Sequence, residues 1–138
     1  MKKLKNSELN RISIEEFKNS SKTPIKVLLD NIRSAYNVGS IFRSCDAFLI
    51  DEIILCGITA KPPNKEIRKT ALGSTDSMKW SYFENIQDAI LKLKKEKYQI
   101  ISVEQADKST GLENFNIQSE KKYAIIFGNE INGEKSYW

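Results

Sequence analysis

Apolar residues along this chain cluster in short continuous runs, and the stretches between them carry either a helical repeat or turn-forming residues. "IKVLLD" (25–30), "EIILCG" (52–57), "MKWSYF" (78–83), "QIISVEQ" (99–105) and "YAIIFG" (123–128) read as strands. Runs of this length, bounded by polar segments, suit strands buried on both faces. "VGSIFRSCDAFL" (38–49) reads as a helix, as does "NIQDAILKLKKEKY" (85–98), where Ile86, Ala89, Ile90 and Leu93 fall on one face. Residues 7–19 hold Leu9, Ile12 and Phe17 among charges, which predicts short helical pieces docked on a main body, with Ser13 a candidate N-cap paired with Glu16. Residues 58–77 read as a long polar functional loop with Pro62 and Pro63 at its bend and one helical turn expected around 64–70.

Strands alternating with helices imply the α/β class: a mostly parallel sheet with helices on both faces. Residues 1–23 read as a basic helical extension and 24–138 as the α/β domain. Ligands in such sheets bind outside the carboxyl ends of the strands. Candidate chemistry is therefore sought in Asn31 to Arg43, Gly57 to Thr75, Glu104 to Gly111 and Gly128 to Gly133.

Composition narrows the chemistry. The chain has no histidine, which removes Ser-His-Asp and Cys-His catalysis and HExxH zinc sites. Its two cysteines, Cys45 and Cys56, lie in apolar-flanked segments without a CxxC, so buried thiols are expected rather than a disulfide or a metal site. Of 22 basic and 18 acidic residues, seven and three fall in residues 1–26, so the net charge of +4 is an N-terminal surplus. Such a surplus steers polyanions, and it equally describes a solvated helix face. With no signal-like apolar region and no run near the roughly 18 residues needed to span a bilayer, a cytoplasmic protein is expected.

Three constellations remain. In "NVGSIFR", Gly39 at a helix start would let backbone N–H groups approach an anion, Asn37 would cap the helix or touch a ligand, and Arg43 would add a bidentate guanidinium at the same end. A capped helix with a surface arginine is the plain alternative. "IIFGNEINGEK" ends a buried strand at Gly128 and continues through Asn129, Glu130 and Gly133, a turn that either aims a carboxylate into the crevice or is only a polar loop. "KTALGSTDS", with Lys69 and Ser74, can embrace a phosphodiester or be an ordinary loop. Neither G-x-G-x-x-G nor a P-loop is present.

Together, "LDNIRSAYNVGSIFRSCDAF", "KTALGS" and "IIFGNEINGE" resemble, in this order and spacing, the SpoU (TrmH-like) family of RNA ribose 2′-O-methyltransferases within the SPOUT superfamily. The first segment matches the family's N-x-G-x-x-x-R motif and the last its F-G-x-E-x-x-G motif. The resemblance implies S-adenosylmethionine as methyl donor and tRNA or rRNA as substrate. It makes Arg43 the catalytic arginine, with Asn37 in support and Glu130 an active-site carboxylate. Gly128 and Asn129 would belong to the cofactor pocket, and Arg43, Gly39, Lys69 and Ser74 would face RNA. A homodimer whose active site uses both subunits is implied, and no metal. The family's third motif, a P-x-x-G-x-x-x-S-L-N-x-S-type segment, is not found after Gly133, so the chain is expected to be a C-terminally truncated member lacking the knot-completing segment. That leaves a second reading, a catalytically silent RNA-binding remnant.

Overall fold

The computed structural model describes residues 1–5, 7, 9 and 12–128. The elements in chain order are α1 (Ile14–Asn19), β1 (Thr23–Asp30), α2 (Ala35–Ala47), β2 (Ile50–Cys56), α3 (Lys65–Ala71), α4 (Ser74–Ser77), β3 (Trp80–Phe83), α5 (Ile86–Lys95), β4 (Tyr98–Val103), a 3-10 turn (Leu112–Asn114) and β5 (Lys122–Phe127). All strand pairs are parallel, in the order β3-β2-β1-β5-β4. The sequence direction of the sheet reverses between β1 and β5, which puts their carboxyl ends at the crevice where doubly wound sheets bind ligands.

The two faces follow from strand alternation. Val27, Leu29, Ile53 and Leu55 turn to one side, where they pack with Phe17 of α1, Val38 and Phe42 of α2 and Ile67 of α3. Leu28, Ile54, Ala124 and Ile126 turn to the other side and meet Ile86, Ala89, Ile90 and Leu93 of α5. All four apolar positions foreseen for that helix are thus buried, each Ile or Leu contributing about 1.5–3 kcal/mol relative to exposure. Phe17 anchors the N-terminal extension in the main core, and the Ser13 hydroxyl accepts the Glu16 N–H at 3.1 Å as the cap of α1.

At the amino end of the sheet, on the α5 side, Lys26 donates to Glu52 at 2.9 Å, and both side chains are buried. Burial disfavours both charges. The mutual hydrogen bond and attraction outweigh it, so the lysine pKa moves up and the carboxyl pKa down.

Several boundaries differ from the sequence expectation. α2 starts at Ala35 rather than residue 38, because Ser34 and not Asn37 is its N-cap: the Ser34 hydroxyl accepts the Asn37 N–H at 3.2 Å. The expected strand from residue 78 starts at Trp80, since Met78 closes α4 by donating its N–H to Ser74. "KTALGSTDS" is no open loop but the end of α3, a left-handed turn at Leu72 and Gly73 (φ 51° and 87°), and α4. α5 stops at Lys95, and Lys97, at φ 69°, turns the chain into β4. β4 ends at Val103, beyond which residues 104–120 are exposed. No helix among the described residues is long and apolar enough to cross a membrane.

Candidate functional site

The carboxyl ends of β1, β2 and β3 are sewn together by their own loops. Asn31 leaves β1 in the left-handed region (φ 54°), donates its N–H to Cys56 at 3.2 Å and accepts the Ile58 N–H on Oδ1 at 3.0 Å. Gly57 is itself left-handed, and a Cβ there would lie 2.0 Å from Asn31 Oδ1, so this turn needs glycine twice over. The Thr59 hydroxyl accepts the Ile32 N–H and donates to the Leu29 carbonyl, each at 3.0 Å. Tyr82 donates its hydroxyl proton to the Gly57 carbonyl at 2.7 Å. These contacts fix the entry into α2, and with it the orientation of everything α2 carries.

α2 turns Val38, Gly39, Phe42 and Cys45 inward. Tyr36, Ser40 and Arg43 are exposed. With 100° per residue, Tyr36 and Arg43, seven apart, differ by only about 20° and share one stripe. Arg43 has no ion-pair partner among the described residues. Beside this stripe, Lys69 of α3 reaches the Tyr36 hydroxyl at 3.4 Å and lies 5.8 Å from its ring centroid, while Thr70 donates to the Tyr36 carbonyl at 2.7 Å. The hydrogen bond that Lys69 donates to Tyr36 and the charge of Glu66 raise the Lys69 pKa, so this ammonium stays charged. An unpaired arginine on α2 and an exposed lysine on the adjoining α3, the latter shared with Glu66 at 3.7 Å, are groups suited to phosphates.

The structure redistributes the other candidates. Arg43 is the ninth of thirteen residues in α2, about 12 Å along the helix from its start, not at the anion-attracting end. Asn37 is exposed but displaced from Arg43 by about 120° around the axis, so it does not support the arginine side chain directly. Gly39 is not at the helix start and offers no N–H to a ligand. It is buried at the α2–α3 seam, where an added Cβ would lie 2.3 Å from the Ile67 carbonyl oxygen. Ser74 is buried as well, and its hydroxyl donates to the Ala71 carbonyl at 2.7 Å, which makes it part of the α3–α4 turn rather than a presented phosphate ligand. Gly128 follows the last residue of β5 at the switch-point crevice and is half-buried. Asn129 and Glu130 lie outside the described residues.

Tyr36 was not singled out in the sequence, although its seven-residue spacing from Arg43 carried the signal. Asn31 and Thr59 gave no such signal, because their partners come from other loops. Burial pushes both thiols, Cys45 and Cys56, up to about 12, so neither is a nucleophile. Among the described residues no group of three His, Cys, Asp or Glu side chains is placed to hold a metal ion.

Near the crevice, the Ser102 hydroxyl of β4 is buried and has no hydrogen-bond partner. Ser102 pairs with Ile126 in the sheet, two residues before Gly128. An orphaned hydroxyl beside a strand end without a side chain is the kind of polar opening that a ligand group satisfies.

Comparison with known proteins agrees with the motifs and the fold. Residues 24–137 match the SpoU rRNA Methylase family. The chain is 30% identical over 110 residues to the 23S rRNA (guanosine-2'-O-)-methyltransferase RlmB of Blochmanniella floridana, covering 80% of this chain and 42% of the relative. It is 30% identical over 120 residues to an uncharacterized tRNA/rRNA methyltransferase of Borreliella burgdorferi, covering 87% and 51%. Among solved structures, the AdoMet-bound rRNA methyltransferase from Sinorhizobium meliloti superposes with a TM-score of 0.75 at 25% identity over 86% of this chain and 45% of that one. The A. aeolicus TrmH/SpoU tRNA modifying enzyme superposes with a TM-score of 0.74 at 20% identity over 90% and 61%. This chain spans about half or less of the length of these curated relatives. Since the family match runs through nearly all of the sheet and includes the segment that carries Arg43, the chain belongs to the SpoU methylase family.

Proposed function

We propose that this chain carries RNA ribose 2′-O-methyl transfer, with S-adenosylmethionine as donor and tRNA or rRNA as substrate. The observation that carries the reading is Arg43: the arginine of the N-x-G-x-x-x-R motif stands exposed and without an ion-pair partner among the described residues, two turns along the same face of α2 from Tyr36, which Lys69 of α3 contacts. A guanidinium does not give up its proton at any working pH, so Arg43 acts by holding the ribose-phosphate and stabilising charge that develops on the 2′-oxygen. Lys69 adds a second positive charge along the same RNA strand.

The donor supplies an electrophilic methyl group on a sulfonium. The described residues that fit it are Gly128, whose lack of a side chain permits close approach, and the nearby Ser102 hydroxyl, which is buried without a partner. Arg43 lies about 12 Å back along α2 from the end of the sheet that bears Gly128. That separation supports a homodimer in which Arg43 of one copy completes the crevice of the other.

The test is methyl transfer from isotopically labelled donor to transcribed tRNA and rRNA fragments, with mapping of 2′-O-methylation. Transfer that drops at least 100-fold in Arg43→Ala is expected. Equal transfer by Arg43→Ala, or RNA binding without any transfer by the unaltered chain, overturns the proposal. For the dimer, mixing Arg43→Ala with Gly128→Trp, each inactive alone, restores part of the activity if sites are shared between copies, and none if each chain is self-sufficient.

A further inference from the structure

A cleft of about 260 Å³ opens beside α3, lined by Pro62, Pro63, Ile67, Arg68, Asp76 and Trp80. Arg43, Tyr36 and Lys69 are not among its lining residues, so it plays no part in the reading of Arg43. The volume is below the ~300–1,000 Å³ of pockets for drug-sized ligands and matches one planar ring system. Three features define what it would take. Trp80 is half-buried on β3, an edge strand of the sheet among the described residues, and supplies an indole for stacking. Arg68 offers only donors and Asp76 only acceptors. The two do not pair with each other, and neither side chain has an ion-pair or hydrogen-bond partner among the described residues.

Two exposed, unpaired groups of opposite polarity lining one cleft suit a flat ligand that presents N–H donors on one edge and acceptors on another. A nucleobase does this, and unstacked bases of single-stranded RNA are characteristically held on aromatic side chains and Arg planes. Among the four bases, guanine alone offers two adjacent donors, N1–H and N2–H, to the two oxygens of a carboxylate while keeping O6 and N7 for a guanidinium. Adenine and cytosine present a single amino group, and uracil a single ring N–H.

We propose that this cleft, lined by residues other than those of the stripe that bears Arg43, is a base pocket that takes an unstacked guanine of the bound RNA. The inference rests on the RNA reading given above for its ligand, and on the cleft alone for its specificity.

The experiment titrates the four nucleoside monophosphates, and ribose 5-phosphate as the base-free control, into the intact protein with Trp138→Phe, so that Trp80 is the one remaining tryptophan. The Trp80 indole resonance is the readout. GMP is expected to shift it with an affinity at least about tenfold above AMP, CMP and UMP, and Asp76→Asn to remove that preference. Trp80→Phe, followed by calorimetric titration because the indole readout is gone, should keep the fold and weaken GMP binding. An equal response to ribose 5-phosphate, or a GMP preference that survives Asp76→Asn, overturns the pocket. Arg43→Ala with Lys69→Ala separates the two claims. RNA binding should weaken while the GMP response persists; a GMP response in a protein that binds no RNA sinks the RNA reading and leaves the pocket standing.

Discussion

Gly39 of α2 and Ile67 of α3 meet backbone to backbone: a Cβ at residue 39 would stand 2.3 Å from the Ile67 carbonyl oxygen and 2.0 Å from Thr70 Oγ1. Gly39→Ala should therefore destabilise the fold by about 1–3 kcal/mol, the usual cost of overpacking. Thr70→Ala should not rescue it, because the carbonyl remains when the hydroxyl is gone. Urea unfolding checks this, with a lower midpoint and an unchanged m value as the expected signature. A fully restored midpoint in the double variant would contradict the backbone contact.

Arg43 and stability should come apart. Because its side chain is exposed and without a partner among the described residues, Arg43→Ala should leave unfolding free energy within about 0.5 kcal/mol of the starting protein. Arg43→Lys should keep the charge but fail to restore methyl transfer, since an ammonium cannot make the paired contact of a guanidinium. Thermal melts and transfer rates on the same samples decide it.

The Lys26–Glu52 pair predicts a pH dependence with two limbs. Glu52 is held below its ordinary 4.5, so its contribution is present above that pH and is lost as the pH falls through its lower native pKa. Lys26 is raised above its ordinary 10.5, so its contribution is present below that pH and is lost as the pH climbs through the higher native pKa. Glu52→Gln leaves a buried ammonium without its principal partner and should cost about 3–5 kcal/mol near neutrality, with part of the acid limb removed. Denaturation curves from pH 2 to 11 would show both limbs, or their absence.

Thr59→Val keeps the shape but strips Ile32 N–H of its acceptor and the Leu29 carbonyl of a donor. A loss of about 1–3 kcal/mol is expected. Amide exchange at Ile32 should accelerate more than exchange in α5, which packs on the opposite face of the sheet.

Cys45 and Cys56, with pKa values raised to about 12, should not react with a thiol reagent at pH 8 in the native protein, where only about one thiol in ten thousand is ionised. Both should react once the protein is unfolded in urea.

The strands and α5 were legible because their signals are local: unbroken apolar runs, and four apolar residues at helical spacing. Ser34 is not evident as a cap from the sequence because Ala35 is a weak apolar signal and Tyr36 and Asn37 are exposed, so the apolar run starts at Val38, although Ala35 packs on the core. Gly39 and Ser74 were read as ligand-facing because glycine and serine look the same in a sequence whether they meet a phosphate or a neighbouring helix. Only the α2–α3 packing and the buried turn into α4 separate these cases. The guanine cleft left no trace in sequence order, since Arg68, Asp76 and Trp80 come from three different elements.

The glycine contact between α2 and α3 also bears on the RNA contact proposed above. With no room for even a methyl group at residue 39, the two helices cannot ratchet past each other without losing the contact, so the backbones that carry Arg43 and Lys69 hold one mutual position. The pair acts as a fixed gauge. Under the proposed RNA reading, accommodation then falls to the nucleic acid, whose sugar-phosphate torsions must fit the two helices, and an RNA stiffened into another shape is expected to be discriminated against before any base is read.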